Sequence, residues 1–241
     1  MAAGDAKVEV AADPEALARL AADRILALVR ATEGAVAISL SGGSTPRPLY
    51  RLLAETPYRE ALPWPRLHWF WGDERFVPWE DPESNYRMAR EALFDHAPVP
   101  PQNIHAIATT GSPAEAARAY ERRLKAFYGS QTLDRGRPLF DLMLLGLGED
   151  GHTASLFPGS PVLDERARWV AEVEGSRPET RLTLTYPVLE SSRLTVFLVT
   201  GKAKAGILKR ALAGNTALPA ARLRPRGELL WLVDAAAREA P

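Results

Sequence analysis

Ala35-Val36-Ala37-Ile38-Ser39-Leu40-Ser41-Gly42-Gly43-Ser44-Thr45-Pro46 runs from a strand-length apolar segment into a glycine turn and on toward a helix. The run to Leu40 suits a buried strand. Gly42 and Gly43 lack Cβ atoms, so the backbone can turn sharply and bring its N–H groups close to an anion. Ser44 and Thr45 add hydroxyl donors. Pro46 and Pro48 fit a first helical turn, where N–H groups have no intrahelical partner, so Ser41 to Leu53 reads as a loop entering a helix N-terminus. Such a terminus attracts phosphate through its free N–H groups and its dipole. The alternative is a tight strand-to-helix turn with an ordinary Ser/Thr cap, and the Gly-Lys-Ser/Thr of a P-loop is missing.

The same alternation extends in both directions. Val8 to Ala11, Leu67 to Trp71, Ile104 to Ile107, Phe140 to Leu145, Trp169 to Val173, Leu194 to Val199 and Leu229 to Val233 read as strands, most of them apolar throughout. Helices are predicted from Pro14, capped by Asp13 and ended by Gly34, over Ser84 to Phe94, over Pro113 to Tyr128 with Ser112 as cap and Gly129 as stop, and over Lys202 to Ala213. Gly129 to Pro138 reads as a surface loop. Strands alternating with helices predict an α/β fold: a mostly parallel, doubly wound, Rossmann-like sheet with helices on both faces, in one domain over residues 1–241.

The chain has 241 residues, 46% hydrophobic and 25% charged, which is ordinary for a soluble globular protein of this length. Lys and Arg balance Asp and Glu to a formal charge of zero, so composition supports neither a nucleic-acid nor an anionic membrane partner. There is no cysteine, which excludes disulfides, thiolate nucleophiles and Cys-type zinc sites. The N-terminal residues lack an export-signal pattern and no apolar stretch is membrane-length, so a cytoplasmic protein is expected. The oligomeric partner is left open.

A second glycine loop, Gly146-Leu147-Gly148-Glu149-Asp150-Gly151-His152, follows the strand that ends at Leu145. Strand ends of this kind are where open α/β sheets place ligand chemistry. Gly146, Gly148 and Gly151 match the dinucleotide fingerprint spacing, and Glu172 or Glu174 stands where a ribose-binding acid would. Pro158, Gly159 and Pro161, however, interrupt the long helix that site requires, and Glu149 and Asp150 would repel a pyrophosphate. His152 fits proton transfer better, because an ordinary imidazole titrates near neutral pH, and Asp150 could orient it. His68, His96 and His105 read as structural. The four histidines show no close ligand spacing, so no metal site is expected.

Ser41 to Pro46, Trp71-Gly72-Asp73-Glu74-Arg75, Ser84-Asn85-Tyr86, Gly146 to Pro158, Arg181-Leu182-Thr183-Leu184-Thr185 and Gly201-Lys202, in that order over nearly the whole chain, resemble the 6-phosphogluconolactonase family. That resemblance implies hydrolysis of 6-phospho-D-glucono-1,5-lactone to 6-phosphogluconate in the oxidative pentose phosphate pathway, without a cofactor. It implies His152 as general base, with Asp150 beside it and Arg75 as electrostatic stabiliser, although Arg75 could instead pair with Asp73 or Glu74. A phosphate site of Gly42, Gly43, Ser44, Thr45, Arg181 and Lys202 is expected, with Asp73, Glu74 and Asn85 as contacts to sugar hydroxyls or as scaffolding. Related glucosamine-6-phosphate deaminases carry a glutamate five positions after the histidine, where this chain has Phe157, and that difference favours a lactonase. A sugar-phosphate binding module without chemistry is the alternative of another class.

Overall fold

The computed structural model describes residues 7–239, so residues 1–6 of the N-terminal segment read above lie outside it. Nine strands occur among the described residues: β1 (Lys7–Ala11), β2 (Val36–Leu40), β3 (Leu67–Trp71), β4 (Asp73–Arg75), β5 (Phe140–Gly146), β6 (Val170–Val173), β7 (Arg181–Leu184), β8 (Ser192–Val199) and β9 (Glu228–Asp234). The α-helices are α1 (Pro14–Ala31), α2 (Arg47–Leu53), α3 (Tyr58–Ala61), α4 (Asn85–Ala89), α5 (Pro113–Tyr128), α6 (Tyr186–Leu189), α7 (Ala205–Leu212), α8 (Pro219–Arg222) and α9 (Ala235–Arg238).

Six strands form a parallel sheet in the order β1-β9-β8-β5-β2-β3. Every residue of β2, and every residue of β5 up to Leu145, is buried, as a strand covered on both faces requires. From β2 the chain crosses to β3 on one side, and from β5 it crosses to β8 on the other. The carboxyl ends of these neighbouring strands therefore form the switch point of the sheet, where a crevice opens. Both glycine loops leave from it.

The helices α1 and α5 begin where their sequence signals stand, but α1 stops at Ala31, with Thr32 turning extended, ahead of the expected stop at Gly34. Asp13 accepts the Ala16 N–H at 2.7 Å ahead of Pro14, and α1 buries Leu17, Ala18, Ala21, Ala22, Ile25 and Val29. Ser112 and Glu115 form a capping box at α5, which ends at Gly129. Among the described residues no helix is long and apolar enough to cross a membrane.

Four expectations are revised. Ile104 to Ile107 is not a strand: only Ile104 bridges Trp69, through a 2.8 Å bond from the His105 N–H to the Trp69 carbonyl. Pro100 and Pro101 precede it without N–H donors, and the Ile107 carbonyl is taken by Trp79 Nε1 at 3.0 Å. Second, β6 does not join the parallel sheet but pairs antiparallel with β7, which pairs with β4. Third, the helix expected over Ser84 to Phe94 has Ser84 as its cap and passes into a π turn at Arg90–Phe94. Last, Lys202–Lys204 is a 3₁₀ turn ahead of α7.

Candidate active site

At the end of β2, Tyr50 of α2 clamps the first loop from within. The Ser41 N–H donates to Tyr50 Oη at 3.0 Å, and the phenol donates to the Ser41 carbonyl at 2.7 Å. No side chain caps α2, so the ordinary Ser/Thr cap considered as the alternative is not formed and the first N–H groups of the helix keep no such partner. Thr45 Oγ1 lies 3.2 Å from Thr200 Oγ1, which ties the loop to the end of β8. Gly42 serves a neighbour: a Cβ there would fall 1.9 Å from Asn85 Oδ1. Asn85 is buried in the space this glycine leaves, and its Nδ2 donates to the Asp73 carbonyl at 2.9 Å.

The second loop folds tightly after β5, with the Gly148 N–H on the His152 carbonyl at 2.9 Å and the Gly151 N–H on the Gly148 carbonyl at 3.0 Å. This brings the His152 ring over Gly148, where a Cβ would meet Nδ1 at 1.9 Å. Asp150 Oδ1 receives the His152 N–H at 3.1 Å and lies 2.5 Å from Nδ1. Burial opposes ionisation of Asp150, but hydrogen bonds from the His152 ring and backbone and from Arg177 outweigh it and hold the carboxyl below its ordinary range. An ionised carboxylate only accepts, so Nδ1 is the ring nitrogen that holds a proton against Asp150, and in the neutral imidazole the lone pair stands on Nε2. Phe157 packs against the ring, centroids 4.8 Å apart.

Arg75 and Arg181 are register partners on β4 and β7, which sets two guanidinium groups side by side. Arg75 pairs with neither Asp73 nor Glu74 through its side chain; it donates to the Glu83 carbonyl and reaches Glu83 Oε2 at 3.2 Å. The Nε atoms of both arginines are buried without a partner. Burial, with Arg75 beside it, lowers the affinity of Arg181 for its proton. Both guanidinium groups line one cavity, with Glu83 Oε2 3.2 Å from Arg75 and Glu179 Oε2 3.4 Å from Arg181, and such a pair of partly buried cations suits an anion.

Glu74 is buried and aimed away from that space, into the start of α4. Its carboxylate accepts the Arg75 N–H at 2.8 Å and the Asn85 and Tyr86 N–H groups at 2.7 Å. Asp73 accepts the Ser155 hydroxyl at 2.7 Å and so fixes the turn after His152 to β4.

A cavity of about 310 Å³ collects Gly42, Gly43, Ser44, Thr45, Asp73, Arg75, Asn85, His152 and Arg181 in its wall. Asp150 stands behind His152. Lys202 is exposed and does not line the cavity; Lys204, one turn on, does, with its Nζ 4.0 Å from Glu149. Arg177 and Tyr50 went unread, since neither stands in a motif. In a larger open groove along Pro161 to Arg168 and Glu172 the charged side chains are four carboxylates and Arg168, which is already paired with Glu165 and Glu172. The remaining histidines are occupied elsewhere: His68 and His105 contact at 3.1 Å among Phe70 and Phe127, and His96 meets the Glu91 carbonyl. Among the described residues no three metal-ligating side chains cluster.

Comparison with known proteins gives the same geometry a context. The sequence model for glucosamine-6-phosphate isomerases/6-phosphogluconolactonase matches residues 12–231. A 6-phosphogluconolactonase from Synechocystis is 44% identical over 214 residues, covering 87% of this chain and 86% of that protein. One from Nostoc is 41% identical over 237 residues, covering 95% and 96%. Among solved structures, the 6-phosphogluconolactonase from Trypanosoma cruzi superposes with a TM-score of 0.83 at 32% identity, over 98% of this chain and 97% of the other. With a matching family model over most of its length and full-length relatives at this identity, the chain belongs to the glucosamine-6-phosphate isomerase/6-phosphogluconolactonase family.

Proposed function

We propose that this chain is a 6-phosphogluconolactonase, a carboxylic ester hydrolase that opens 6-phospho-D-glucono-1,5-lactone to 6-phosphogluconate. The observation that carries the reading is a histidine held through Nδ1 by Asp150 in one cavity with the guanidinium groups of Arg75 and Arg181. A lactone carbonyl is already electrophilic, so the work left to the protein is to deprotonate water and to stabilise the tetrahedral oxyanion. His152 Nε2 takes the proton from water and returns it to the ring oxygen as that bond breaks. Arg75 stabilises the oxyanion.

The phosphate is the remote handle. Backbone and hydroxyl donors of Gly43, Ser44 and Thr45, with Arg181 and Lys204, hold it and so keep the ester carbon near the base. Lys204 replaces Lys202 in this assignment because it lines the cavity. Phe157 argues against deamination, since its ring fills the place beside His152 where a carboxylate would assist the opening of an amino sugar.

The test is a coupled assay with freshly generated 6-phosphogluconolactone, corrected for spontaneous hydrolysis. Turnover should fall by about 10²–10⁴ in His152→Ala with the fold retained. Near-normal activity in that variant, or ammonia released from glucosamine 6-phosphate by the wild type, would overturn the reading.

A further inference from the structure

Arg177 stands in the turn between β6 and β7, far in sequence from the histidine loop. Its Nη2 donates to Asp150 Oδ2 at 2.7 Å, and its guanidinium carbon lies 4.7 Å from the Phe157 ring centroid. These are the two neighbours of His152, which uses Asp150 Oδ1 and the same phenyl ring. A base and a cation thus share one carboxylate and one aromatic face.

The sharing has a mechanical consequence. Asp150 is partly exposed, with 37% of its side chain accessible, so water would compete for it and its carboxylate would turn. With Oδ2 held by Arg177, only Oδ1 faces Nδ1, and the imidazole keeps one tautomer. We propose that Arg177 is a positioning residue: it locks Asp150 and covers Phe157, so that His152 presents a bare Nε2 to the lactone. Arg177 lines the cavity together with Arg75 and Arg181, but it differs from them in its partners: its Nη2 is bound to Asp150 at 2.7 Å and its guanidinium lies over Phe157, the two groups that hold the His152 ring, whereas Arg75 and Arg181 meet Glu83 and Glu179. The other charged groups around the cavity are Asp73 and the Glu149–Lys204 pair. The proposal rests on the lactonase reading for its rates, but not for the geometry of the ring.

Two measurements on the full-length protein test it. In the lactonase assay Arg177→Met should lower kcat by about ten-fold with KM within about two-fold, Arg177→Lys should recover most of the loss, and in an Asp150→Asn background the Met substitution should cost less than about two-fold. Without substrate, ¹⁵N NMR of the His152 ring, assigned against His152→Gln, should show the Nδ1-protonated tautomer in the wild type and in Arg177→Lys, and both tautomers in Arg177→Met. Unchanged ring signals in Arg177→Met, a raised KM at constant kcat, or an undiminished loss in the Asp150→Asn background would overturn the proposal. Should the wild type hydrolyse no lactone, the functional reading fails, while the ring spectra still decide for or against Arg177.

Discussion

Gly148 shows how one missing methyl group can hold the His152 ring in place. A Cβ there would sit 1.9 Å from His152 Nδ1, so Gly148→Ala must swing the imidazole off Asp150. We expect kcat to fall by about 10²-fold or more, the scale of a lost general base, while the melting temperature moves little. Steady-state kinetics with calorimetry checks both. The two lysines separate in the same way: Lys204→Ala should raise KM for the phosphorylated lactone by about ten-fold and Lys202→Ala by less than about two-fold, with an unphosphorylated lactone affected by neither. The reverse order would return the role to Lys202. Asp150 and His152 were legible because they meet across two residues of one loop. Arg177 was not, since its partner lies 27 residues away and only the packing of the β6–β7 turn brings them together. Which lysine lines the cavity was not legible, because the 3₁₀ turn at Lys202–Lys204 sets it and no periodic pattern marks so short a turn.

At the level of elements, the short strand β4 and the start of α4 are joined by one buried carboxylate. Burial pushes Glu74 up to about 7 from an ordinary 4.5, against the pull of the Asn85, Tyr86 and Arg75 amides. The unfolded chain gives up this proton near 4.5 and the folded chain keeps it to about 7, so between those values the folded state holds more protons and loses stability as pH rises. Wild-type stability should therefore fall relative to Glu74→Gln by on the order of 1–3 kcal/mol from pH 4.5 to pH 8, read from urea unfolding at several pH values. Parallel curves would remove Glu74 as the source. The parallel strands were readable from sequence because double-sided burial demands continuous apolar runs. Asp73–Arg75 escaped notice for the opposite reason: a three-residue strand of charged side chains, stabilised by a neighbouring hairpin and by amides eleven and twelve residues on, carries no such run. Ile104 to Ile107 has the composition of a strand but keeps a single bridge, with the Ile107 carbonyl spent on the Trp79 indole.

Across the whole molecule, the cavity draws its wall from the ends of β2, β5 and β8 and from both strands of the β4–β7 pair, so the site exists only when the two sheets are in place together. We expect residues 1–241 to behave as one domain, with a single unfolding transition by heat or urea. Two resolved transitions would divide it. Added 6-phosphogluconate at about 100 times its dissociation constant should raise the melting temperature by roughly 5–10 °C in the wild type and by much less in Arg181→Ala. The doubly wound plan was legible from alternation alone, whereas the antiparallel companion sheet depends on contacts between segments a hundred residues apart. The position of β9 between β1 and β8 reaches beyond catalysis. On the ribosome, β1 emerges well before β9 and finds its neighbour only when the segment from Glu228 onward has cleared the exit tunnel, so throughout that interval the nascent chain carries unpaired strand edges open to wrong pairing.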